Sequence, residues 1–483
     1  MAFTTQPDRN PKLRAARQWL FLIGLMIVFA AMTGRLEPKL VPDSASYIEY
    51  PFDSFDQALR STRTVGYPLV IKLFSGVFGY RSLPLVHLLL HGTAAWMLLL
   101  ELGRWGMSFH ARWAATLAIA LGCTMLDNLS IVATDLVAAS IGVMGTACLL
   151  GWARCLTSPA NASDAASNGP MNVWGIASVA FFGFLAITMR PAYLALILWL
   201  PLVGTLLLTR RSSRFRAMRM KRAVVLASLP SIVIVIPIGI WVIVRGVGVN
   251  DFSVLPFGHQ NLAGIAIQLA NDEELRNVSK GNADLANAIV VEKERYYQKL
   301  GRTPQTGVPS TLLMEQRWDD YVWWVVVPAA DKLFPQDTIA SHHAIASLNR
   351  EIILAYPMRY VRWLMLAARR AAWGTAANIV MHPIFLTGLI VILVLELRRA
   401  YHGVSSMPCS EPDAFNALFI VTVTYFVVNT AFVILTSPPL GRFIDAAAIF
   451  IPAWIAAKMM DRYLPPQLMR MHGDRETVNP LRS

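Results

Sequence analysis

The sequence has little charge and few cysteines. Only 15% of its 483 residues are charged, whereas 55% are hydrophobic. A soluble chain of this length would carry a larger share of charge. Its four cysteines form no Cys-x-x-Cys pair, and none lies in either of the two long segments between apolar runs. The sequence therefore supports neither a zinc or redox site of that type nor a disulfide framework.

Several enzyme signatures are also absent. The chain contains no Gly-x-Ser-x-Gly, His-Glu-x-x-His or P-loop pattern, so the corresponding hydrolases, metalloproteases and nucleotide-binding proteins receive no support. It shows no convincing internal repeat, which weakens a transporter built from duplicated halves. The first apolar run, residues 19–33, lacks a small-residue cleavage site and is typical of a signal-anchor.

What the sequence does contain is a series of apolar runs long enough to cross a bilayer. They predict an all-α polytopic membrane protein with about ten transmembrane helices. The spans lie near residues 18–34, 83–102, 112–126, 130–152, 173–189, 191–208, 224–245, 377–397, 415–436 and 443–459.

The net charge of +13 follows the predicted topology. Residues 209–222 carry seven basic side chains and no acidic one, as in a cytoplasmic loop. The N-terminus and the tail after the last span are basic too, and an even number of spans places both in the cytoplasm. Membrane topology thus explains the basic charge better than nucleic-acid binding does. We expect a multi-pass protein of the bacterial inner membrane, with no nucleic-acid partner.

The spans and the segments between them divide the chain into five parts. We predict an N-terminal transmembrane module with the first external loop, a flexible cytoplasmic connector, central transmembrane helices, a mostly helical external region, and C-terminal helices with a cytoplasmic tail. These parts cover residues 1–156, 157–172, 173–245, 246–376 and 377–483.

Both long external segments should carry helices that do not span the membrane. In the first, Ser44–Tyr50 and Pro68–Phe78 are predicted to lie at the interface. In the second, the apolar run Tyr321–Val327 is too short to span and should dock on the protein. Residues Leu348–Arg370 form an amphipathic helix interrupted at Pro357.

Two acids stand where the chain should meet the external face. Asp43 follows the first span, and Asp135 opens the fourth. A carboxylate at this depth can act as a general base. The alternative for each is a helix N-cap, and Thr134 is a second candidate cap beside Asp135.

Arginines are predicted at the same face. Arg190 precedes Pro191 in a sharp turn, Arg442 begins the last span, and Arg63 lies in the first external loop. Guanidinium groups suit a lipid-linked phosphate through bidentate, charge-assisted bonds. The alternatives are an ion pair of Arg442 with Asp445 and contacts of Arg63 with lipid headgroups.

The histidines of the second external segment carry a weaker signal. His259, His342 and His343 have no ligand-like partner at a recognisable spacing. Histidines in such a setting are more often surface or packing residues than metal ligands.

These features together resemble the GT-C superfamily of integral-membrane glycosyltransferases, which includes protein mannosyltransferases and lipid A aminoarabinose transferases. The resemblance covers most of the chain as architecture, and its motifs are short. They are Asp43 with Tyr47, Gly66-Tyr67-Pro68-Leu69, Thr134-Asp135, Arg190-Pro191, and the run Ala355-Tyr356-Pro357-Met358-Arg359-Tyr360.

The resemblance implies transfer of a sugar from a polyprenyl-phosphate carrier to a hydroxyl of a lipid, glycan or protein acceptor. Asp43 would be the base. Asp135 would assist it, either by positioning the acceptor or, with Asp43, by holding a divalent cation such as Mg²⁺ or Mn²⁺. Donor-phosphate binding would fall to Arg63, Arg190, Arg442, Tyr47 and Tyr67. Members commonly have two adjacent acids in the first loop, whereas Ser44 follows Asp43 here.

Two other functions remain open at the level of sequence. A transporter or lipid flippase would use Asp135 and Asp43 as ion-coupling groups. A non-catalytic scaffold would recruit envelope-synthesis partners through residues 246–376. Acids near the bilayer centre would favour transport, and acids at the external rim would favour transfer.

Overall fold

The computed structural model describes residues 11–157, 173–211, 220–303, 307–402 and 412–463. The helices α1 to α22 are, in order, Pro11–Met32, Ser44–Ile48, Phe55–Arg60, Gly66–Phe78, Leu83–Arg104, Phe109–Ala120, Cys123–Asn128, Asp135–Thr157, Val173–Met189, Ala195–Arg211, Met220–Val249, Gly258–Ala266, Asp272–Arg276, Ala283–Lys299, Thr311–Asp320, Val327–Leu333, Thr338–Ala355, Pro357–Met381, Pro383–His402, Pro412–Ile434, Gly441–Ala447 and Phe450–Tyr463. Most of the predicted connector, residues 212–219 of the basic segment, and the C-terminal tail lie outside these ranges.

The all-α membrane architecture is confirmed. In the described ranges, seven helical segments are long and apolar enough to cross a bilayer, and the number of candidate spans rises to nine when each of two bent helix pairs is counted as one span. The remaining predicted span, near 173–189, is α9, whose 17 residues are fewer than the roughly 20 of a typical crossing. In the described ranges the backbone forms no β-strand, only an isolated bridge between Lys39 and Ile131.

The late spans differ from the sequence prediction in shape. The span predicted near 377–397 is a pair, α18 and α19, bent by 74°. Pro383 begins α19, and a proline disfavours helical geometry in the residue before it, here His382. The last span is likewise a pair, α21 and α22, bent by 51°. The amphipathic helix predicted over Leu348–Arg370 is divided between α17 and α18, with Pro357 in the first turn of α18.

The main core surrounds α8. In α8, 89% of the most hydrophobic 18-residue stretch is buried, compared with 22% in α1. Helix α8 is therefore the central helix of the bundle. Small residues allow its neighbours to approach closely. A Cβ at Gly142 would lie 2.6 Å from the hydroxyl of Tyr425 in α20.

Helices α12 to α18 share a second core. Its members include Ile289, Trp318, Leu348 and Trp363. The run Tyr321–Val326 forms a π-helical segment with Val322 and Val325 fully buried in this core. It is docked within the protein, as its length predicts.

The first long segment is fastened to the start of α8. The backbone N–H of Lys39 donates to Ser130, and the N–H of Val132 donates back to Lys39. The Ser44 hydroxyl donates to the Val132 carbonyl at 2.8 Å. These bonds bring the residues next to Asp43 against the turn that leads into Asp135.

The segment contains the two predicted helices, as α2 and α4, and one more. The additional helix, α3, has six residues of mixed polarity, too few to give a periodic pattern. Buried Arg245 of α11 donates to the carbonyl of Leu59 in α3 and also pairs with Asp251.

Candidate active site

Asp43 occupies the position before α2, but its carboxylate does not cap that helix. Its Oδ1 accepts a hydrogen bond from Nη2 of Arg63 at 2.9 Å. Its Oδ2 lies 3.4 Å from Nη1 of Arg442. The N-cap alternative is therefore wrong, because both oxygens face arginines instead of backbone N–H groups.

Arg63 is held by contacts with three further residues. Its Nε donates to the Ser46 hydroxyl at 2.8 Å, and its Nη1 donates to the Tyr47 hydroxyl at 3.1 Å. The guanidinium carbon lies 4.6 Å from the centroid of the Tyr47 ring and 5.2 Å from that of Phe257. Such cation–π contacts stabilise the charge and fix the plane of the guanidinium. Arg63 is directed into the protein and not toward lipid headgroups.

Asp135 and Arg190 form a second ion pair. Arg190 follows the last residue of α9, and its Nη1 donates to Oδ1 of Asp135 in the first turn of α8. Both side chains are largely buried, with 6% of Asp135 and 14% of Arg190 exposed. A buried carboxylate and a buried guanidinium each need such a partner to offset the loss of hydration.

Phe443 connects the two ion pairs. The guanidinium carbon of Arg190 lies 4.8 Å from the centroid of the Phe443 ring, and the guanidinium carbon of Arg442 lies 4.9 Å from the same centroid. The ring thus contacts one arginine from each pair. The expected pair of Arg442 with Asp445 does not form, since Asp445 accepts a hydrogen bond from Asn378 at 2.7 Å and Arg442 faces Asp43.

The five charged residues give the site a positive balance. Three arginines face two aspartates, which leaves one formal positive charge. Exposure increases toward Asp43 and Arg442, whose side chains are 27% and 42% exposed. An anion approaching this open edge would meet arginine donors before it met Asp135.

Tyr67 lies behind the site. Its side chain is fully buried, its hydroxyl is 3.0 Å from Nε2 of His87, and its ring meets the Tyr47 ring edge-to-face at 5.3 Å between centroids. The neighbouring Gly66 packs against the backbone of Thr188, two residues before Arg190. The Gly66–Leu69 motif therefore packs behind Tyr47 and the turn that carries Arg190, and it does not line the open edge of the site.

The residues of the site do not fit a divalent cation. Mg²⁺ and Mn²⁺ take several oxygen ligands, commonly including carboxylates. Both carboxylates here face arginines, which would repel a cation. Throughout the described ranges, no group of three or more His, Cys, Asp or Glu residues is placed to hold a metal.

The histidines lie in another cluster. The His259 and His342 rings are 4.9 Å apart, and Nε2 of His343 is 3.4 Å from Oδ1 of Asp251. Burial lowers the pKa of His342 to about 4, so its imidazole is neutral at pH 7. Within the described ranges, the side chains of these histidines contact one another and Asp251.

Sequence reasoning missed three residues of the site: Ser46, Phe257 and Phe443. Phe443 directly follows Arg442, and Ser46 lies in the motif that contains Asp43. Phe257 belongs to the second external segment, more than sixty residues from the nearest site motif in the first half of the chain. No local pattern predicts its contact with Arg63.

Comparisons with known proteins give one weak likeness. No family model matches the sequence, and no curated protein matches it. Two crystal structures of ArnT from Cupriavidus metallidurans align with the chain. The apo form aligns over 93% of this chain and 78% of its own, with 14% identity and a TM-score of 0.33. The form bound to undecaprenyl phosphate aligns over 92% and 77%, with 16% identity and a TM-score of 0.34.

These TM-scores are too low to bear on the fold or the function of the chain. The chemistry of the site must therefore be inferred from its own residues.

Proposed function

We propose that the chain is a GT-C-type membrane glycosyltransferase that moves a sugar from a polyprenyl-phosphate carrier to an acceptor hydroxyl at the external face of the membrane. One observation carries the proposal. Asp43, a partly exposed carboxylate, lies between Arg63 and Arg442 in a cluster with one net positive charge. Such a cluster offers a base and an anion site within a few ångströms of each other.

Arg442 is suited to change partners when the donor binds. Its 3.4 Å separation from Oδ2 of Asp43 is longer than a normal charge-assisted hydrogen bond, and its side chain is 42% exposed. The phosphate of the donor would attract Arg442 by its own negative charge. Once Arg442 turns toward that phosphate, Oδ2 of Asp43 is free to accept a proton.

Each bond and proton of the transfer step is then accounted for. The acceptor oxygen forms a bond to the anomeric carbon, and the bond from that carbon to the phosphate oxygen breaks with its electron pair. The acceptor proton goes to Oδ2 of Asp43, and polyprenyl phosphate leaves. Arg442 stabilises the charge that grows on the phosphate, while Arg63 holds Asp43 in place.

Asp135 and Arg190 have a positioning role in this proposal. Their side chains are mostly buried and paired with each other. Arg190 holds one face of Phe443, and Phe443 in turn orients Arg442.

The position of the two acids in the helices favours transfer over transport. Asp135 stands in the first turn of its helix, and Asp43 precedes a short helix outside the candidate spans. A transporter that couples to an ion would be expected to place its acids near the middle of the spans.

The test is sugar transfer by the purified full chain in proteoliposomes that carry a panel of polyprenyl-phosphate sugars. The wild type should release free polyprenyl phosphate, and Asp43→Asn should not. Asp56→Asn is the matched control, because Asp56 lies in the same segment and pairs with Arg60 at the exposed surface. Equal turnover by Asp43→Asn would remove Asp43 from the mechanism. Movement of the labelled lipid across the bilayer without release of polyprenyl phosphate would favour a flippase.

A further inference from the structure

A cavity of about 260 Å³ borders α21, where Asp445 lines it three residues after Arg442. Residues of α6, α18, α19 and α22 form most of its wall, and the side chains are mainly aliphatic: Ala114, Leu117, Ile379, Leu389, Ile392 and Met459. Along α22 the wall extends to Met460. Because Asp445 and Met460 are 15 residues apart, a helical rise of 1.5 Å per residue gives a length of about 22 Å before the bend is considered. These dimensions suit a hydrocarbon chain.

Polar groups gather where α21 and α18 meet the cavity. Asp445 is 7% exposed, and its Oδ1 accepts a hydrogen bond from Asn378. Within the described part of the chain, no hydrogen bond reaches its Oδ2. Thr375 is 5% exposed, and its hydroxyl also has no partner there. A buried hydroxyl without a partner is costly, which indicates that something else bonds to Thr375, and Oδ2 of Asp445 offers an acceptor in the same cavity.

The other polar groups at this end are already engaged. Nε2 of His382 donates to the Leu121 carbonyl at 3.0 Å, and its Nδ1 accepts from the N–H of Phe385 at 3.3 Å. The Thr124 hydroxyl donates to the carbonyl of Asp445. Asp445 and Thr375 are therefore the groups that remain for a ligand.

The charge of the wall decides the class of ligand. Among its residues there is one carboxylate and no lysine or arginine. A phosphate or fatty-acid head would be repelled by Asp445, whereas a hydroxyl or an ammonium could donate to it. The candidate active site has the reverse character, with three arginines.

We propose that this cavity binds a second amphiphile, one hydrocarbon chain with a small, non-anionic head group that donates hydrogen bonds to Asp445 and Thr375. The ligand enters from the bilayer beside α19, whose Ile384 both lines the cavity and is exposed on the outer surface. The proposal does not depend on glycosyl transfer, since binding requires no sugar donor.

Photoaffinity labelling tests the proposal. The probes are an alkyl alcohol, an alkylammonium and an alkyl phosphate with the same diazirine-bearing chain, applied to the full chain in nanodiscs. We expect the alcohol, the ammonium or both to label residues of α6, α19 and α22. The phosphate should label the same residues at least about tenfold less. The relative labelling by alcohol and ammonium identifies the head group.

Two variants test separately where the hydrocarbon chain of the ligand binds and where its head group binds. Gly388→Leu should abolish labelling, because Gly388 lines the cavity and has open space beside its Cα. Gly239→Leu is the matched control, a glycine of α11 with equally open space that does not line the cavity. Asp445→Asn should reduce labelling by the ammonium about tenfold relative to the phosphate. Equal labelling by the phosphate, or labelling that persists in Gly388→Leu, would overturn the proposal.

Discussion

Arg442 and Asp43 face each other although 399 residues separate them in the chain. The first long segment brings Asp43 to the start of α8 through the backbone bonds of Lys39, and α21 brings Arg442 to the same place at the start of the last span. Their contact joins the two ends of the chain at one charged site. It is also the contact that the proposed donor phosphate would displace.

Replacing Arg442 should therefore weaken transfer more than it weakens folding. Arg442→Ala removes a donor to the leaving phosphate, and we expect kcat/KM to fall at least tenfold, equivalent to about 1.5–3 kcal/mol for a bond to a charged group. The melting temperature should change little, because the side chain is 42% exposed. Release of polyprenyl phosphate and thermal unfolding are the two measurements.

Arg60→Ala provides the control for that experiment. Arg60 is an exposed arginine of the same protein that pairs with Asp56 and lies outside the site. If both variants lowered transfer to the same degree, the effect of Arg442 would be one of general surface charge.

The buried pair of Asp135 and Arg190 should behave differently. Arg190→Gln leaves Asp135 as an uncompensated buried carboxylate, so we expect a loss of about 3–5 kcal/mol of stability. The double variant Asp135→Asn with Arg190→Gln removes both charges and should regain most of that stability. Thermal unfolding of the single and double variants in nanodiscs measures the difference.

Transfer by the double variant separates structure from function. We expect its activity to remain low, because Arg190 is no longer there to hold Phe443. Full activity in a well-folded double variant would show that the pair serves stability alone.

Gly66 should tolerate no side chain. A Cβ at this position would lie 2.6 Å from the carbonyl oxygen of Thr188, which is backbone and cannot turn away. Gly66→Ala should therefore shift α4 away from α9 at a cost of about 1–3 kcal/mol and displace Tyr67 and Arg190 with it. A lower melting temperature and reduced transfer are the expected results.

Gly76→Ala in the same helix is the matched control. Nothing lies within 4 Å of a Cβ there, so the substitution should stabilise α4 by about 0.5–1 kcal/mol. Equal effects at both glycines would mean that helix propensity, and not the approach to Thr188, determines the outcome at Gly66.

The sequence predicted which charged residues lie near one another better than it predicted how they pair. Asp135 and Arg190 were placed at the ends of neighbouring spans by hydropathy alone, and the structure brings them together. The predicted partner of Arg442 was wrong. Helical spacing favours Asp445, but that carboxylate accepts a hydrogen bond from Asn378, and Arg442 faces Asp43 instead. Spacing along one helix carries no information about a side chain from a distant segment.

The shapes of the late spans were unpredictable for a related reason. Hydropathy averages over a window and detects apolar length, so it assigned a single span to the residues of α18 and α19. The 74° bend between them depends on Pro383 and on packing against other helices. The short helix α3 escaped detection since six residues do not complete two turns.

The ion pair between Glu274 and Arg359 should make the stability of the second core depend on pH. Two hydrogen bonds of 2.8 and 2.9 Å join the side chains, and the bonds from Arg359 lower the pKa of Glu274 below its ordinary value of 4.5. A lowered pKa in the folded state means that the pair stabilises the fold above pH 4.5 and loses its effect as the pH falls through the folded-state pKa. Because both side chains are partly exposed, the contribution is about 1 kcal/mol or less.

Glu274→Gln should therefore lower the melting temperature at pH 7, and its difference from the wild type should shrink as the pH falls below about 4.5. Glu273→Gln is the control, since Glu273 is an exposed residue of the same short helix. Thermal unfolding of the three proteins across this pH range makes the measurement. A difference between Glu274→Gln and the wild type that stayed constant down to pH 3 would show that packing of the side chain, and not its charge, accounts for the loss.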